Sequence, residues 1–301
     1  MTRAFVVVNP AAGGGRTRRV WPRIGAELRR IGLDFEAVET RAPREATALA
    51  RRGVLDGWPL VVAVGGDGTL LEVVNGVAGV VAPAGGTRAS VGFIPTGRGR
   101  DACRNLGIPA DPGAAARRLA DGADVTLDLG AAEWPDGSRR RFVAAAGVGF
   151  DAAVARRAAS LRGGGTVPYL VAVLLTLARH RPVDAEISVD GRHAWSGPLT
   201  AAVVANGRHY GGGMRIAPSA VPDDGRLDLV VLGGMGRAEL LRWLPRVYSG
   251  GHLRHPRVVT IPGRTFAIRA AVPLPVHLDG EAAPDAPVGV TVEPGALRLR
   301  R

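Results

Sequence analysis

Leu60 to Val64 is an unbroken apolar run, and Gly65-Gly66-Asp67-Gly68-Thr69 follows it directly. Apolar residues without alternation predict a strand covered on both faces, as in a parallel sheet. Leu70 to Val77 then reads as a helix. A glycine turn between such a strand and a helix lies beyond the carboxyl end of an open α/β sheet, where ligands bind. Glycines let the backbone approach a ligand closely, and their amides, with the helix start, can hold phosphate oxygens. Asp67 would repel phosphate, so its sensible role is to hold a Mg²⁺ that bridges phosphates. Thr69 can donate its hydroxyl to the same oxygens and cap the helix. The run is neither a Walker loop nor the Gly-x-Gly-x-x-Gly dinucleotide signature. Taken alone, it also reads as a tight turn with an Asp near the cap.

The surrounding chain supports an α/β domain. Phe5 to Val8 reads as a strand closed by Asn9-Pro10 and the loop Ala11 to Gly15. Val20, Ile24, Leu28 and Ile31 recur at helical steps among arginines. Phe35 to Val38 and Val91 to Pro95 read as strands, and Pro43 to Arg52 as a helix. This alternation predicts a mostly parallel sheet over residues 1–125. Beyond it the segments shorten and Asp-Gly turns appear: Arg141 to Ala146, Ala185 to Val189, Leu199 to Ala205, Leu227 to Leu232, Val258 to Ile261, Thr265 to Arg269 and Val276 to Leu278. Residues 126–301 are therefore expected to form an antiparallel β-sandwich, with a C-terminal tail able to return to the first domain. A helical insert, Ala152 to Ala178 with a glycine break at 163–165, and a short helix, Arg237 to Val247, interrupt it.

With 301 residues there is room for both domains. The one cysteine, Cys103, excludes an internal disulfide framework and fits a reducing compartment. All 39 basic residues are arginine, and the net charge of +12 draws polyanions without choosing among nucleotides, nucleic acid and an anionic membrane. Aromatic residues are 5% of the chain and form no platform interleaved with basic residues, so no nucleic acid is expected as a partner. The apolar N-terminal run is too short for a signal peptide, and Val167 to Ala178 falls well short of the roughly 20 residues a membrane span needs. A cytoplasmic protein is expected, one able to sit peripherally at the inner membrane face. The apolar helix around Tyr169 to Leu177, beside Arg179 and Arg181, reads as packing on the sandwich in preference to resting on a membrane. Of six scattered histidines, only His209, beside Tyr210 and a glycine run, lies near a candidate site.

Several segments in order resemble one family. Asn9-Pro10-Ala11-Ala12-Gly13, Gly65 to Gly76, and Ile94-Pro95-Thr96-Gly97-Arg98-Gly99-Arg100-Asp101 match its N-terminal signatures. Gly147-Val148-Gly149-Phe150-Asp151, Asn206, Tyr210 to Met214, Asp224-Gly225 and Asp279-Gly280-Glu281 follow in its order. The chain resembles the diacylglycerol kinase catalytic superfamily, which includes bacterial lipid kinases and sphingosine kinases.

That resemblance implies an α/β domain for nucleotide and a β-sandwich for lipid, with an active site between them and ATP and Mg²⁺ as cofactors. Glu281 would be the general base, and Asp67 with Asp101 would organise Mg²⁺-ATP. Nucleotide contacts would fall at Asn9, Pro10, Ala11, Ala12, Gly13, Thr40, Gly65, Gly66, Gly68, Thr69, Leu70, Leu71, Glu72 and Thr96. A structural Mg²⁺ would lie at Asp224 with the carbonyls of Val221 and Arg226. A lipid at a membrane surface would be the substrate, and a homodimer is left open. The family's Gly-Thr-Gly-Asn-Asp is here Gly97-Arg98-Gly99-Arg100-Asp101. These arginines either pair with phosphates or obstruct the nucleotide. Two alternatives stand beside the lipid kinase: an NAD kinase-like small-molecule kinase, and a non-catalytic nucleotide or lipid binder.

Overall fold

A computed structural model of the protein describes residues 3–80, 88–161 and 166–301. The glycine break expected at 163–165 lies outside the described residues. The chain divides into two compact units, one of residues 1–127 with 295–301, the other of residues 128–294.

In the first unit, β1 (Arg3–Val8), α1 (Ala12–Arg30), β2 (Asp34–Glu39), α2 (Glu45–Leu55), β3 (Leu60–Gly65), α3 (Asp67–Val77) and β4 (Ser90–Pro95) alternate as the apolar runs dictate. Two helices the sequence reading missed, α4 (Asp101–Leu106) and α5 (Pro112–Asp121), follow. The strands are parallel in the order β2-β1-β3-β4. Connections from β1 therefore run one way along the sheet and those from β3 the other. A topological switch point lies between β1 and β3, and Asn9 and Gly65 stand at the ends of those two strands.

β1, β3 and β4 are buried almost throughout because helices cover both faces. One core layer joins Val6, Val62 and Ile94 to Ile24 and Leu28 of α1 and Leu119 of α5. Glu27 ties the same two helices together, bonding Arg30 (2.7 Å) within α1 and Arg117 (3.1 Å) of α5. Those two guanidinium groups hold its carboxyl down at about 2. Residues 295–301 return to this unit, where Leu299 pairs with Val91 and Arg301 Nη1 donates to Leu106 O (2.8 Å).

The chain enters the second unit within β5 (Asp124–Glu133) and continues through β6 (Arg139–Phe142), β7 (Ala145–Gly149), α6 (Phe150–Ser160), α7 (Thr166–Arg179), β8 (Val183–Val189), β9 (Arg192–Ala205), β10 (Leu227–Gly233), α8 (Arg237–Trp243), β11 (Val258–Gly263), β12 (Thr265–Ala270), β13 (Val276–Leu278), β14 (Glu281–Ala283) and β15 (Val288–Arg300). Within the unit the named pairings are antiparallel. The long β9 pairs along its length with β8, β10 and β7.

The segment expected as one strand over Arg141 to Ala146 is two, broken at Val143-Ala144, whose amides turn to a side chain described below. α8 ends at Trp243 and gives way to 3-10 turns. The α7 expectation holds for half the helix. Ala172, Val173, Thr176 and Leu177 are buried, whereas Leu170, Val171, Leu174 and Leu175 are exposed.

Phe142 is fully buried in the sandwich core, and its ring fills the space left by Gly130 on the paired strand. Phe142→Ala is predicted to cost about 3–5 kcal/mol, read as a lowered urea midpoint for the second unit's unfolding.

Candidate functional site

Three loops meet at the carboxyl edge of the first unit's sheet. Asn9, at the end of β1, accepts Ala11 N at Oδ1 (3.1 Å) and donates from Nδ2 to Thr69 Oγ1 (3.0 Å). The β3–α3 turn is thereby tied to the loop after β1. Thr17 and Thr96 share a buried hydroxyl pair at 2.6 Å, tying α1 to the loop after β4. Thr96 N and Gly97 N both donate to Gly65 O (2.8 and 3.0 Å). A Cβ placed on Gly97 would stand 2.5 Å from Gly66 Cα, so only glycine lets these two backbones touch. Gly13, Gly14 and Gly15 all have positive φ, so the regular part of α1 begins only after Gly15, in keeping with the loop expected over Ala11 to Gly15. Thr40 lies at the same edge, its amide donating to Val8 O (2.8 Å).

The structure places other expected residues differently. α3 begins at Asp67, three residues before the expected Leu70, with Gly66 as its N-cap and no side chain capping it. Thr69 is therefore inside the first turn and is not the cap; its buried hydroxyl receives Asn9. Leu70 and Leu71 turn into the core, and Leu70 N is spent on Gly66 O. Glu72 accepts the amides of Arg44 (3.2 Å) and Ala46 (3.1 Å), so its carboxylate anchors the start of α2. Asp67 Oδ2 accepts Asp101 N (3.2 Å), while the Asp101 carboxylate receives Arg104 (2.8 Å). Arg98 Nη2 lies 3.0 Å from where a side chain on Gly14 would begin, which sets a guanidinium over the glycine run.

These features fit a triphosphate: an uncapped helix start, backbone approached without Cβ atoms, and an arginine beside it. Asp67 and Asp101 supply carboxylate oxygens for a hard cation.

In the second unit, Asp279 and Gly280 form the β13–β14 turn, both with positive φ as a tight hairpin demands. The Asp279 carboxylate accepts the amides of Val143 (2.7 Å), Ala144 (2.8 Å) and Ala145 (2.8 Å). Burial pushes its carboxyl up from the ordinary value, and the three amides pull against that. Glu281, two residues on, is exposed and has no hydrogen bond or ion pair among the described residues.

His277, which the sequence reading did not single out, is built into this region. Gly280 N donates to its Nδ1 (3.1 Å), so the proton is on Nε2, which donates to Asp151 Oδ2 (3.0 Å). Tyr210 stacks on the imidazole at 5.6 Å and donates its hydroxyl to the same carboxylate oxygen (3.2 Å). Burial, then the Asp151 charge, hold the Tyr210 phenol well above its ordinary pKa, so it stays a donor. A Cβ on Gly147 would stand 2.0 Å from Asp151 Oδ2 and 2.3 Å from His277 Nε2, so this cluster exists only over a glycine. The i, i+2 and i, i+4 spacings of His277, Asp279 and Glu281 in one short hairpin were the available signal.

The Val221-to-Arg226 segment is a polar turn. Asp224 is exposed and accepts Arg226 N (2.9 Å), while Gly225 N donates to Asp128 Oδ2 (2.7 Å) and Asp128 N to Pro222 O (2.7 Å). Asn206 Nδ2 bonds both Asp128 O and Val143 O (2.9 Å each), linking this turn to the strand break held by Asp279. Among the described residues no group of three or more His, Cys, Asp or Glu side chains could hold a metal. A cation at Asp224 would therefore draw its other ligands from carbonyls and water.

Residues 3–132 match the family model of the diacylglycerol kinase catalytic domain, and residues 144–301 that of the YegS C-terminal NAD kinase beta sandwich-like domain. A diacylglycerol kinase of Mycobacterium tuberculosis is 32% identical over 99% of this chain and 95% of its own. One from Staphylococcus aureus is 28% identical over 93% and 86%. A solved diacylglycerol kinase-like protein of Bacillus anthracis has the same fold, with a TM-score of 0.79 at 21% identity over 99% of this chain and 96% of that one. An NAD kinase of Archaeoglobus fulgidus in complex with ATP shares the fold more distantly, at a TM-score of 0.52 and 15% identity over 99% and 92%. The chain belongs to the diacylglycerol kinase catalytic-domain family of lipid kinases.

Proposed function

We propose that this protein transfers the γ-phosphate of ATP to the hydroxyl of a diacylglycerol-like or sphingoid-like lipid. The observation that carries the reading is the meeting of three loops at the β1–β3 switch point, where Gly66 touches Gly97 and the Arg98 guanidinium lies against Gly14. Backbone amides at the start of α3 would hold the triphosphate, with Asn9, Gly13 and Thr96 fixing the loops that surround it. Mg²⁺ at Asp67 and Asp101 would neutralise charge developing on the phosphates. Glu281 would take the proton of the lipid hydroxyl as its oxygen bonds to the γ-phosphorus and the bridge to ADP breaks. Asp279 is unsuited to that role because three amides occupy it, which leaves Glu281 as the hairpin's unengaged carboxylate. The NAD kinase-like alternative rests on the shared fold. Transfer to NAD in place of lipid would favour it.

The test of the reading is label transfer from γ-labelled ATP into mixed micelles of candidate lipids. Glu281→Ala is predicted to lower kcat at least about 100-fold, the usual scale of a general base, while moving stability within about 0.5 kcal/mol. Asp279→Ala should do the reverse to stability: three amides lose their acceptor, at a cost of about 3 kcal/mol or more in urea unfolding. Label transfer that survives Glu281→Ala would remove Glu281 from the mechanism.

Arg98→Ala should raise KM for ATP about tenfold, since a charge-assisted bond to phosphate contributes about 1.5–3 kcal/mol. An unchanged or lowered KM would instead make Arg98 an obstruction.

A second Mg²⁺ at Asp224, with the carbonyls of Val221 and Arg226, is proposed as structural. Its addition should raise Tm for the parent chain and leave the Tm of Asp224→Ala unmoved.

A further inference from the structure

Glu281 opens β14, a strand of three residues with β13 on one side and, among the described residues, no ladder on the other. A two-stranded ribbon of that length fixes little by itself. Arg140 and Arg156 tether its far end through Ala282 O (3.2 Å) and Ala283 O (3.3 Å). On the near side, the place of Glu281 depends on the turn Asp279-Gly280.

That turn is held at both of its residues, by different means. Asp279 is held by its own carboxylate, through the amides of Val143, Ala144 and Ala145. Gly280 is held by its backbone, whose N–H donates to His277 Nδ1 (3.1 Å). A glycine is the least restricted link a backbone has, and this one stands between the Asp279 anchor and Glu281. His277 pairs with Ala282 across the hairpin and Leu278 with Glu281, so the side chains of His277 and Glu281 leave opposite faces. Influence of the imidazole on Glu281 therefore passes through the Gly280 backbone.

An imidazole receives an amide only on a nitrogen that carries no proton. At His277 that condition is set from the far side of the ring. Nε2–H donates to Asp151 Oδ2 (3.0 Å), and Tyr210 donates to the same oxygen (3.2 Å) while lying 13° from parallel with the ring. His277 is 1% exposed, so turning the ring would break both of its bonds with no water at hand to replace them. The other oxygen, Asp151 Oδ1, is buried without a partner. That is a cost in stability which a contact serving packing alone does not require.

We propose that His277, held as the Nε2–H tautomer by Asp151 and Tyr210, is the positioning residue for Glu281. Its Nδ1 fixes Gly280 N, and with it the backbone from which the Glu281 carboxylate meets the lipid hydroxyl. The proposal rests on the reading of Glu281 as the base. Gly280 is exposed, so water takes its N–H when the acceptor is removed, and the turn loosens without unfolding the unit.

Two substitutions in the full chain separate the two ends of the ring. His277→Asn keeps an acceptor, Oδ1, at about the place of Nδ1 and gives up the reach to Asp151. His277→Gln keeps a donor at about the place of Nε2 and leaves Gly280 N without an acceptor. Both lose the stacking on Tyr210, so similar falls in Tm are expected and thermal unfolding serves as the control for stability. Label transfer from γ-labelled ATP into diacylglycerol mixed micelles gives the kinetics. A displacement of about 1 Å near a reacting group costs about 100-fold, so His277→Gln should lower kcat at least about tenfold. His277→Asn should lower it about threefold at most, and KM for ATP should move less than about twofold in both. Amide exchange at Gly280, followed by NMR, should quicken in His277→Gln and not in His277→Asn. In the Glu281→Ala background, His277→Gln should bring no further loss. Equal losses of kcat in the two variants would overturn the proposal, leaving the ring as packing, and so would a His277→Gln chain with the parent's kcat. A further loss of the same size in the Glu281→Ala background would also overturn it, since His277 would then act by another route. Label transfer that survives Glu281→Ala is a different failure, that of the base itself, and the His277 variants do not produce it.

Discussion

Gly97 and Gly66 lie backbone against backbone, and the arrangement of the first unit's loops follows from that contact. A Cβ on Gly97 would enter Gly66 Cα at 2.5 Å, so a side chain there must push the β3–α3 and β4–α4 loops apart. With the two loops together, Gly65 O accepts from both Thr96 N and Gly97 N. Thr96 can then share its hydroxyl with Thr17, and Asp67 Oδ2 can receive Asp101 N. Asn9 completes the assembly by reaching across to Thr69. A parallel sheet whose connections diverge between β1 and β3 opens a crevice at their carboxyl ends. The Gly66–Gly97, Thr17–Thr96 and Asn9–Thr69 contacts determine which backbone atoms border that crevice.

The second unit divides its carboxylates between holding the structure and remaining unengaged. Asp279 gives its lone pairs to three successive amides at the break between β6 and β7, and Asp128 holds the turn containing Asp224. Asn206 joins the two through Asp128 O and Val143 O. Asp151 receives His277 and Tyr210 on one oxygen and leaves the other buried without a partner. Glu281 alone in the hairpin stays in solvent.

The periodic part of this architecture was legible in the sequence. Uninterrupted apolar runs located β1, β3 and β4, and Asp-Gly pairs located the turns after β8 and β13. Legibility failed where tertiary contacts override local pattern. α5 is the exception, since it is signalled locally: Asp111 caps it, Pro112 opens it, and Ala115, Ala116 and Leu119 face inward opposite Arg117 and Arg118. The β6–β7 break was missed because Val143 and Ala144 look like strand residues, and only the distant Asp279 explains why their amides leave the ladder. At the candidate site, glycines and Asp67 were readable because their spacing is local. The roles of Glu72 and His277 were not, because each depends on a partner far along the chain: Arg44 and Ala46 for one, Asp151 for the other.

The central claim is that the Gly65-to-Thr69 turn, held against Gly97, cradles the phosphates of ATP. Amide hydrogen exchange with and without Mg²⁺-ATP tests it most directly. The account predicts protection confined to peptides covering residues 9–15, 65–69 and 96–101. Protection that spared 65–69 while appearing elsewhere, or no protection at saturating nucleotide, would contradict it.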